Sequence, residues 1–300
     1  MTNLQNPKSK KKKISVFQLL NGLILLLIAL IMIFPFYYVL IVSFADYSSI
    51  AKSSVYLLPT SFDFTVYSVL LKDKSVISAF AITTFVTFVG TLINMLVSIM
   101  GGYALSKKRL AGRKFILAYI LIPMFFSGGL IPYYLTVKSF GLIGSVFSMI
   151  WPLAVNLTYL IIMRSFFTTV PESLEESAKI DGANRFIILF RIVVPTSAPM
   201  MATMALFFAV DRWNEWWNAM LFINDRNLWP LQLLLRDMLT NLMQSMAGSV
   251  GRQLAQSNLT VYPKSMQMAM VIISALPILI LYPFLQKYFN KGIMIGSLKE

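Results

Sequence analysis

The chain has 300 residues, of which 57% are hydrophobic and only 13% are charged, and its mean hydropathy is +0.72. This composition is typical of an integral membrane protein, and no polar segment is long enough to form a separate soluble domain. Neither cysteine nor histidine occurs. Thiol chemistry, disulfides, imidazole bases and the usual zinc sites are therefore excluded, and no metal site is predicted.

Six apolar segments follow one another along the chain. A membrane-spanning helix needs roughly 20 predominantly apolar residues. The segments that meet this requirement are 15–43, 78–105, 115–136, 145–166, 197–223 and 266–289. They predict an all-α integral membrane protein in which residues 14–289 form a domain of six transmembrane helices.

The net charge of +14 is concentrated beside these apolar segments rather than spread over a surface. One basic cluster, which includes Lys8 and residues 10–13, precedes the first span, and a second lies at 107–114 between the second and third spans. Basic clusters beside hydrophobic spans orient membrane proteins and contact anionic lipid. We therefore expect no nucleic acid partner. We expect cytoplasmic tails at 1–13 and 290–300, with both termini in the cytoplasm.

Ionisable residues are scarce in the predicted spans. The second, third, fourth and sixth contain none in their apolar centres, which argues against an ion-coupled carrier, since such carriers usually keep charged groups there. The fifth span is the exception. If its helix begins near Ala198, Asp211 lies about 20 Å along it at a rise of 1.5 Å per residue. Asp211, Arg212, Asn214 and Glu215 are then expected in the outer half of the membrane.

A polar loop at 171–195 separates the fourth and fifth spans. Its acidic side chains and one lysine follow the i, i+3, i+4, i+7 spacing of one helix face: Glu172, Glu175, Glu176 and Lys179. Pro171 suits a first helical turn and Gly182 suits a C-terminal stop. The spacing fits a helix that docks a soluble protein. It fits equally well a solvated loop with ion pairs that contribute a few tenths of a kcal/mol each.

The second half of this loop also has helical character. A short second helix is predicted from Asn184 to Val193, and Asp181 is a candidate for its N-terminal cap. Pro195 then opens the fifth span. The loop is predicted to be a helix–glycine–helix unit on the cytoplasmic side.

The loop resembles the cytoplasmic loop of ABC importer permeases. That family's pattern is E-A-A, three residues, G, nine residues, I, one residue, then L-P. Here Glu176-Ser177-Ala178 takes the E-A-A position, Gly182 follows after three residues and Ile192 after nine more, and Val194-Pro195 closes the pattern. The segment "KIDGA", Lys179–Ala183, is the form typical of sugar permeases.

The resemblance extends over nearly the whole chain. "FSGGLIPYYL" at 126–135 and "PFLQKYFNKGIMIGSLKE" at 283–300 resemble a carbohydrate branch associated with oligosaccharide and complex-sugar uptake. "RWNEWWNAML" at 212–221 resembles the W-N-E segment of sugar permeases. The resemblance implies a type I importer permease with six transmembrane helices in the bacterial plasma membrane, similar to the smaller maltose-type subunit.

The resemblance also implies partners. They are a second permease subunit in a heterodimer, an ABC ATPase dimer, an extracellular lipid-anchored solute-binding protein and a carbohydrate substrate. The chain contains no G-x-x-x-x-G-K-[ST] motif and no Gly-Lys pair, so ATP and Mg are expected on the ATPase, with no cofactor and no catalytic residue in this chain. The residues expected to couple to the ATPase are Glu172, Glu175, Glu176, Ser177, Ala178, Lys179, Asp181, Gly182 and Ala183.

Candidate residues for the sugar path combine indole rings with amides and a carboxylate. Sugar C–H faces stack on indoles, and sugar hydroxyls bind amides and carboxylates. The candidates are Trp213, Asn214, Glu215, Trp216, Trp217 and Asn218. Each tryptophan taken singly is more often an interfacial or packing residue. Asn214 and Glu215 could instead contact the binding protein or the partner permease.

Tyr133, Tyr134 and Asn156 are weaker candidates for the sugar path, because such residues more often serve packing or an interface. A membrane-embedded glycosyl or lipid transferase, or a secondary carrier, is the alternative function. Asp211, Glu215 and Asp225 could serve a transferase, but the chain contains no D-x-D pattern.

Overall fold

The computed structural model describes residues 16–45, 62–240 and 263–296, and it describes side chains in the last segment as far as Leu281. Within these residues every regular element is a helix. The predicted N-terminal tail at 1–13 lies outside the described residues. The last helix continues to Gly296, past the predicted boundary of the membrane domain at residue 289.

Three long helices match the first, second and sixth predicted spans. They are α1 (Val16–Ser43), α3 (Lys74–Ser106) and α13 (Pro263–Gly296), each long and apolar enough to cross a membrane. The short helix α2 (Thr65–Lys72) precedes α3. Between them Asp73 caps α3, because its Oδ1 accepts hydrogen bonds from the N–H groups of Ser75 and Val76 at 2.7 and 3.3 Å.

The third predicted span is not one straight helix. It consists of α4 (Arg113–Phe125) and α5 (Leu130–Ser139), which meet at 119°. The break contains Gly128 and Gly129, and Gly129 has a φ of +87°. Glycine adopts such a backbone conformation without the steric cost that other residues incur. The chain therefore turns sharply in the middle of an apolar run.

The fourth and fifth predicted spans are also interrupted. In the fourth, two 3₁₀ turns within 146–153 precede α6 (Leu157–Phe167) at an angle of 45°. In the fifth, the segments 185–196 and 198–222 meet at 89°. Over the described residues, three single helices and three bent pairs are long and apolar enough to cross a membrane, which makes up to six spans.

The remaining helices fill the loop at 171–195, the fifth span and the segment that follows it. In chain order they are α7 (Glu172–Ile180), α8 (Arg185–Ile188), α9 (Val194–Thr196), α10 (Ala198–Trp213), α11 (Trp217–Phe222) and α12 (Leu231–Thr240). A π-helical turn, Leu189–Val193, joins α8 to α9.

Helix α3 passes through the centre of the molecule, and an apolar cluster packs near each of its ends. At the C-terminal end, here called the loop end, Tyr103 packs in a cluster with Met163 of α6 and Ala178 of α7. At the N-terminal end, here called the far end, Val76 packs in a cluster with Trp213. The far-end cluster also takes in buried residues of α2, α12 and α13.

Candidate functional site

Helix α7 ends at Gly182, as the sequence predicts. The Gly182 N–H donates to the Lys179 carbonyl at 3.0 Å, and the Ala183 N–H donates to the Ala178 carbonyl at 2.9 Å. These two bonds form a Schellman motif, which requires a left-handed residue that is usually glycine. Gly182 has a φ of +82°. The glycine therefore satisfies the last carbonyls of α7 and reverses the chain.

The second half of the loop differs from the prediction. Asn184 caps α8, because its Oδ1 accepts from the Ile187 N–H at 2.9 Å. The predicted cap, Asp181, is wrong: in a Schellman ending it belongs to the last turn of α7, where it is the C-cap. Helix α8 covers only four residues before the π turn. The predicted single helix from Asn184 to Val193 is thus divided.

Glu175 points into the molecule rather than toward a partner, and its residue is only 5% exposed. The Lys107 ammonium forms an ion pair with Glu175 Oε1, and the Tyr103 hydroxyl donates to Glu175 Oε2 at 3.3 Å. The same ammonium lies 4.3 Å from the centre of the Tyr103 ring. Glu175 thus fastens α7 to the loop end of α3.

The other predicted coupling residues divide by exposure. Ala178 is buried and Ala183 is half-buried, on the side of α7 that faces the molecule. The exposed members are Glu172, Glu176, Ser177, Lys179, Asp181 and Gly182. Ile180 lies among them and is 87% exposed. The free surface of α7 is therefore acidic around the protruding Ile180, with Leu174 of the same helix 41% exposed.

The loop end of α3 receives two further polar contacts. Arg113 Nε and Arg164 Nε both donate to the Leu105 carbonyl, at 2.8 and 3.3 Å. The last carbonyls of a helix lack donors within the helix and favour cations, so two arginines suit this position. Gly102 lets α6 approach closely, since an added Cβ would lie 3.2 Å from the Arg164 backbone nitrogen.

A buried arginine lies halfway along α3. Arg212 of α10 is 7% exposed, and its Nη1 donates to the Met149 carbonyl at 3.1 Å. A Cβ added at Gly90 would lie 2.7 Å from Arg212 Cδ, so this arginine needs the glycine beside it. The sequence predicts Arg212 in the outer half of the membrane. In the structure its side chain lies beside Gly90, at the midpoint of α3.

The break between α10 and α11 brings three predicted sugar-path residues together. Glu215 Oε1 accepts from the Asn218 N–H at 2.8 Å. Asn218 is 2% exposed, and its Oδ1 accepts from the Tyr133 hydroxyl at 2.9 Å. The bent third span is thereby joined to the interrupted fifth span by polar contacts within the apolar part of the chain.

The other predicted sugar-path residues lie apart from this group. Trp213 is a core residue in this structure, because it is 7% exposed and its Nε1 donates to the Ser274 carbonyl at 2.9 Å. Asn156 caps α6, where its Oδ1 accepts from the Tyr159 N–H at 3.2 Å. Tyr134 stacks on Phe222 with the ring centres 5.7 Å apart.

Trp216 and Trp217 present a more open surface. Trp216 is half-buried and Trp217 is exposed, and their rings meet at 90° with centres 5.5 Å apart. Asn214 is exposed nearby in sequence, and its Oδ1 accepts from Gln232 Nε2 at 3.2 Å.

Sequence reasoning missed Tyr103 and Lys107 as partners of the loop, because contacts between distant segments leave no local pattern. Lys107 was visible only as a member of a basic cluster.

Comparison with known proteins identifies the family. The chain is 38% identical over 284 residues to the polygalacturonan/rhamnogalacturonan transport system permease protein YtcP of Bacillus subtilis, covering 95% of this chain and 98% of that protein. Protein LplC of the same organism is also 38% identical, with 95% of each chain covered. The chain belongs to the sugar permeases of ABC importers. No protein-family model matches it.

A solved structure agrees with this assignment. A chain of a bacterial ABC transporter involved in the import of the acidic polysaccharide alginate superposes with a TM-score of 0.85 and 31% identity. The match covers 91% of this permease and 96% of that chain. The relatives are transport permeases rather than enzymes, so the transferase alternative has no support from them. This permease is accordingly a multi-pass, all-helical subunit of a sugar ABC importer.

Proposed function

We propose that this permease imports acidic oligosaccharides and is driven by a separate ATPase that binds the loop 171–195. The proposal that a separate ATPase drives the permease through this loop rests on one observation. Helix α7 is attached to α3 by the buried Glu175, while its opposite side is exposed. A protein that moves the exposed side must displace α3 through the Glu175–Lys107 ion pair. The ATPase holds ATP and Mg, and this chain supplies the mechanical connection.

The free surface of α7 has the features of a docking element. Glu172 and Glu176 offer carboxylates to basic or amide groups, and the exposed Ile180 offers an apolar contact. Gly182, Asp181 and Lys179 form the reversal at the end of the helix. Ala178 and Ala183 allow the two halves of the loop to pack closely, and the exposed Ser177 lies beside Glu176 on the docking side.

The loop end is assigned to the cytoplasm. Support comes from its basic residues, since positive charge accumulates on the cytoplasmic side of membrane proteins. They are Lys107, Lys108, Arg109, Arg113, Lys114, Arg164, Lys179, Arg185 and Arg191. Both chain termini then lie on the cytoplasmic side. The far end faces an extracellular lipid-anchored solute-binding protein, and a second permease completes the translocation path as a heterodimer.

The substrate assignment rests on the relatives. One is named for polygalacturonan and rhamnogalacturonan transport, and the solved structure belongs to an importer of acidic alginate. All of these polymers contain uronic acids, whose carboxylates distinguish them from neutral sugars. Within this chain, we assign Glu215 and Tyr133 to the path together with Trp216 and Trp217, and the buried Asn218 holds Glu215 and Tyr133 in position through its hydrogen bonds.

The coupling proposal is tested with Glu176→Lys and Gly182→Pro in the assembled importer. Both variants are expected to lose sugar uptake and substrate-stimulated ATPase activity. Proline cannot adopt the φ of +82° at residue 182, and lysine reverses the docking charge. Gly141→Pro is the matched control for the proline change, since Gly141 lies outside the loop and also has a positive φ, of +67°. Near-normal coupling in both loop variants would remove the proposal.

The substrate proposal is tested by uptake into vesicles that contain the complete importer with its binding protein. A galacturonan oligosaccharide should be taken up and should compete with a labelled alginate oligosaccharide. A neutral maltose oligosaccharide of equal length should do neither. Preferential uptake of the neutral sugar would contradict the assignment.

A further inference from the structure

We infer that a cleft at the far end, between α11 and α12, binds the carboxylate of a uronic acid unit. This inference rests on the proposed function and names the residue that recognises the acidic group. The cleft has a volume of ≈ 190 Å³. Its lining residues are Met220, Trp229, Leu233, Arg236, Asp237 and Thr240.

Arg236 is held in position by its neighbours. Its guanidinium carbon lies 4.4 Å from the centre of the Trp216 ring, and its Nη1 lies 2.8 Å from Met220 Sδ. Stacking on an indole favours a guanidinium energetically and fixes its plane. The residue is nevertheless exposed, so N–H groups remain accessible to a ligand. A planar guanidinium held in this way can donate two parallel hydrogen bonds to one carboxylate.

The acid in the cleft does not neutralise Arg236. Asp237 forms an ion pair with Arg226, with Nη2 and Oδ2 2.6 Å apart. Arg226 in turn lies 5.3 Å from the centre of the Trp229 ring. Among the residues that the structure describes, Arg236 makes no ion pair. The cleft therefore keeps one positive charge for an incoming anion.

The surroundings suit a sugar rather than a simple anion. Gln232, Arg236 and Thr240 are spaced i, i+4, i+8, which places an amide, a guanidinium and a hydroxyl along one face of α12. Trp217 is 46% exposed beside Trp216 and offers an indole surface. The cleft is smaller than the roughly 300 Å³ at which pockets for drug-sized ligands begin. It can therefore take one sugar unit of a longer chain.

The cleft lies at the end of the molecule that receives solute under the proposed function. The Ser78 hydroxyl donates to the Asn227 carbonyl at 3.0 Å, and the Leu231 N–H donates to Thr83 Oγ1 at 2.7 Å. Both contacts fix the cleft to the first third of α3. Ser78 and Lys107 are separated by roughly 43 Å at 1.5 Å per residue. The cleft and the coupling loop thus occupy opposite ends of α3.

The test compares Arg236→Gln with the wild type in the complete importer with its binding protein. The probes are a galacturonan oligosaccharide and the same oligosaccharide with every carboxyl methyl-esterified. The apparent KM for the acidic probe should rise about threefold to tenfold, the range for losing one partly exposed charge-assisted interaction. The maximal rate and the KM for the ester should stay unchanged. Arg236→Lys keeps the positive charge but cannot donate two parallel hydrogen bonds. Its apparent KM for the acidic probe should lie between the values of the wild type and Arg236→Gln.

Arg109→Gln is the matched control, because it removes one exposed arginine at the loop end. It should change neither KM. Equal effects of Arg236→Gln on both probes would overturn the inference, as would a weakened affinity of the importer for its binding protein, which would make the cleft a protein contact. If the wild type transports neither probe nor an alginate oligosaccharide, the proposed substrate class itself fails and the inference falls with it.

Discussion

Apolar clusters pack at both ends of α3, but neighbouring helices are attached to the two ends in different ways. At the far end Trp213 is buried among apolar side chains of α2, α12 and α13, where close packing makes any displacement costly. At the loop end α7 is attached through the Glu175–Lys107 ion pair and the small side chain of Ala178. The Lys107 side chain is 32% exposed, so this pair can exchange its contacts for water at a lower cost than a packed apolar core can be displaced. The far end is therefore a rigid frame, whereas the attachment of α7 to the loop end is a joint.

This difference matches the division of labour that an importer needs. Under the proposed function, a joint at the loop end can transmit motion from the ATPase without breaking the core of the permease. A rigid far end keeps the α11–α12 cleft in shape while the loop end moves. Variants at the far end should consequently change stability, and variants at the loop end should change coupling.

The largest expected effect comes from Trp213→Ala. Removing this buried indole should cost about 3–5 kcal/mol of stability and give the largest fall in the thermal unfolding midpoint of the purified complex. Transport per folded complex, with ATP hydrolysed per sugar, should stay near wild type. Trp217→Ala is the control, since an exposed tryptophan should change stability by only about 0.5 kcal/mol. Similar melting curves for both variants would contradict the rigid-frame assignment.

Local signals in the sequence predicted α7 and its end correctly. Pro171, the acidic first turn and Gly182 are all recognisable within a few residues of one another. The spacing of the glutamates identified a helix face but not its direction, because only the fold shows that Glu175 meets Lys107, 68 positions away. The same limit explains Asp181: whether it ends α7 or begins α8 depends on where the chain turns.

The membrane spans show the same division between local and distant information. Hydropathy located α1, α3 and α13, since a long apolar run suffices. The 119° bend in the third span was not predicted, although Gly128 and Gly129 mark a turn within an apolar run. The Gly90–Arg212 contact has no local signal, because each residue makes sense only beside the other.

A double-mutant cycle on Glu175→Ala and Lys107→Ala measures the interaction energy of the ion pair that attaches α7 to α3. Each single change should cost about 1–2 kcal/mol, less than the roughly 3–5 kcal/mol of a fully buried pair, because the Lys107 side chain is 32% exposed. The double variant should cost little more than either single one. ATPase activity should persist without sugar uptake, in contrast to Trp213→Ala. Strict additivity of the two single changes, measured by thermal unfolding, would show that the pair is not coupled.

Gly102→Ala tests whether the close contact between α3 and α6 at the loop end is rigid. The added Cβ would lie 3.2 Å from the Arg164 nitrogen and 3.4 Å from Met163 Cβ. Helix α6 must then shift by a few tenths of an ångström, which should cost about 1 kcal/mol relative to an unhindered Gly→Ala change in a helix, the low end for overpacking. Gly22→Ala is the matched control, because nothing lies within 4 Å of the added Cβ and a helix favours alanine. Equal melting midpoints for the two variants would mean that α3 and α6 can separate freely.

The smallest effect is expected for Arg226→Gln at the far end. The Arg226 side chain is 46% exposed, so losing its pair with Asp237 should cost only about 0.2–1 kcal/mol, and less at high salt. The same change removes the Arg226 cation from beside the Asp237 carboxylate, whose negative charge then attracts Arg236 more strongly. The apparent KM for an acidic oligosaccharide should therefore rise although the melting midpoint barely moves, and 1 M salt, where the Debye length is about 3 Å, should reduce that rise. A change in stability without a change in KM would separate Arg226 from the cleft and make it part of the rigid frame instead.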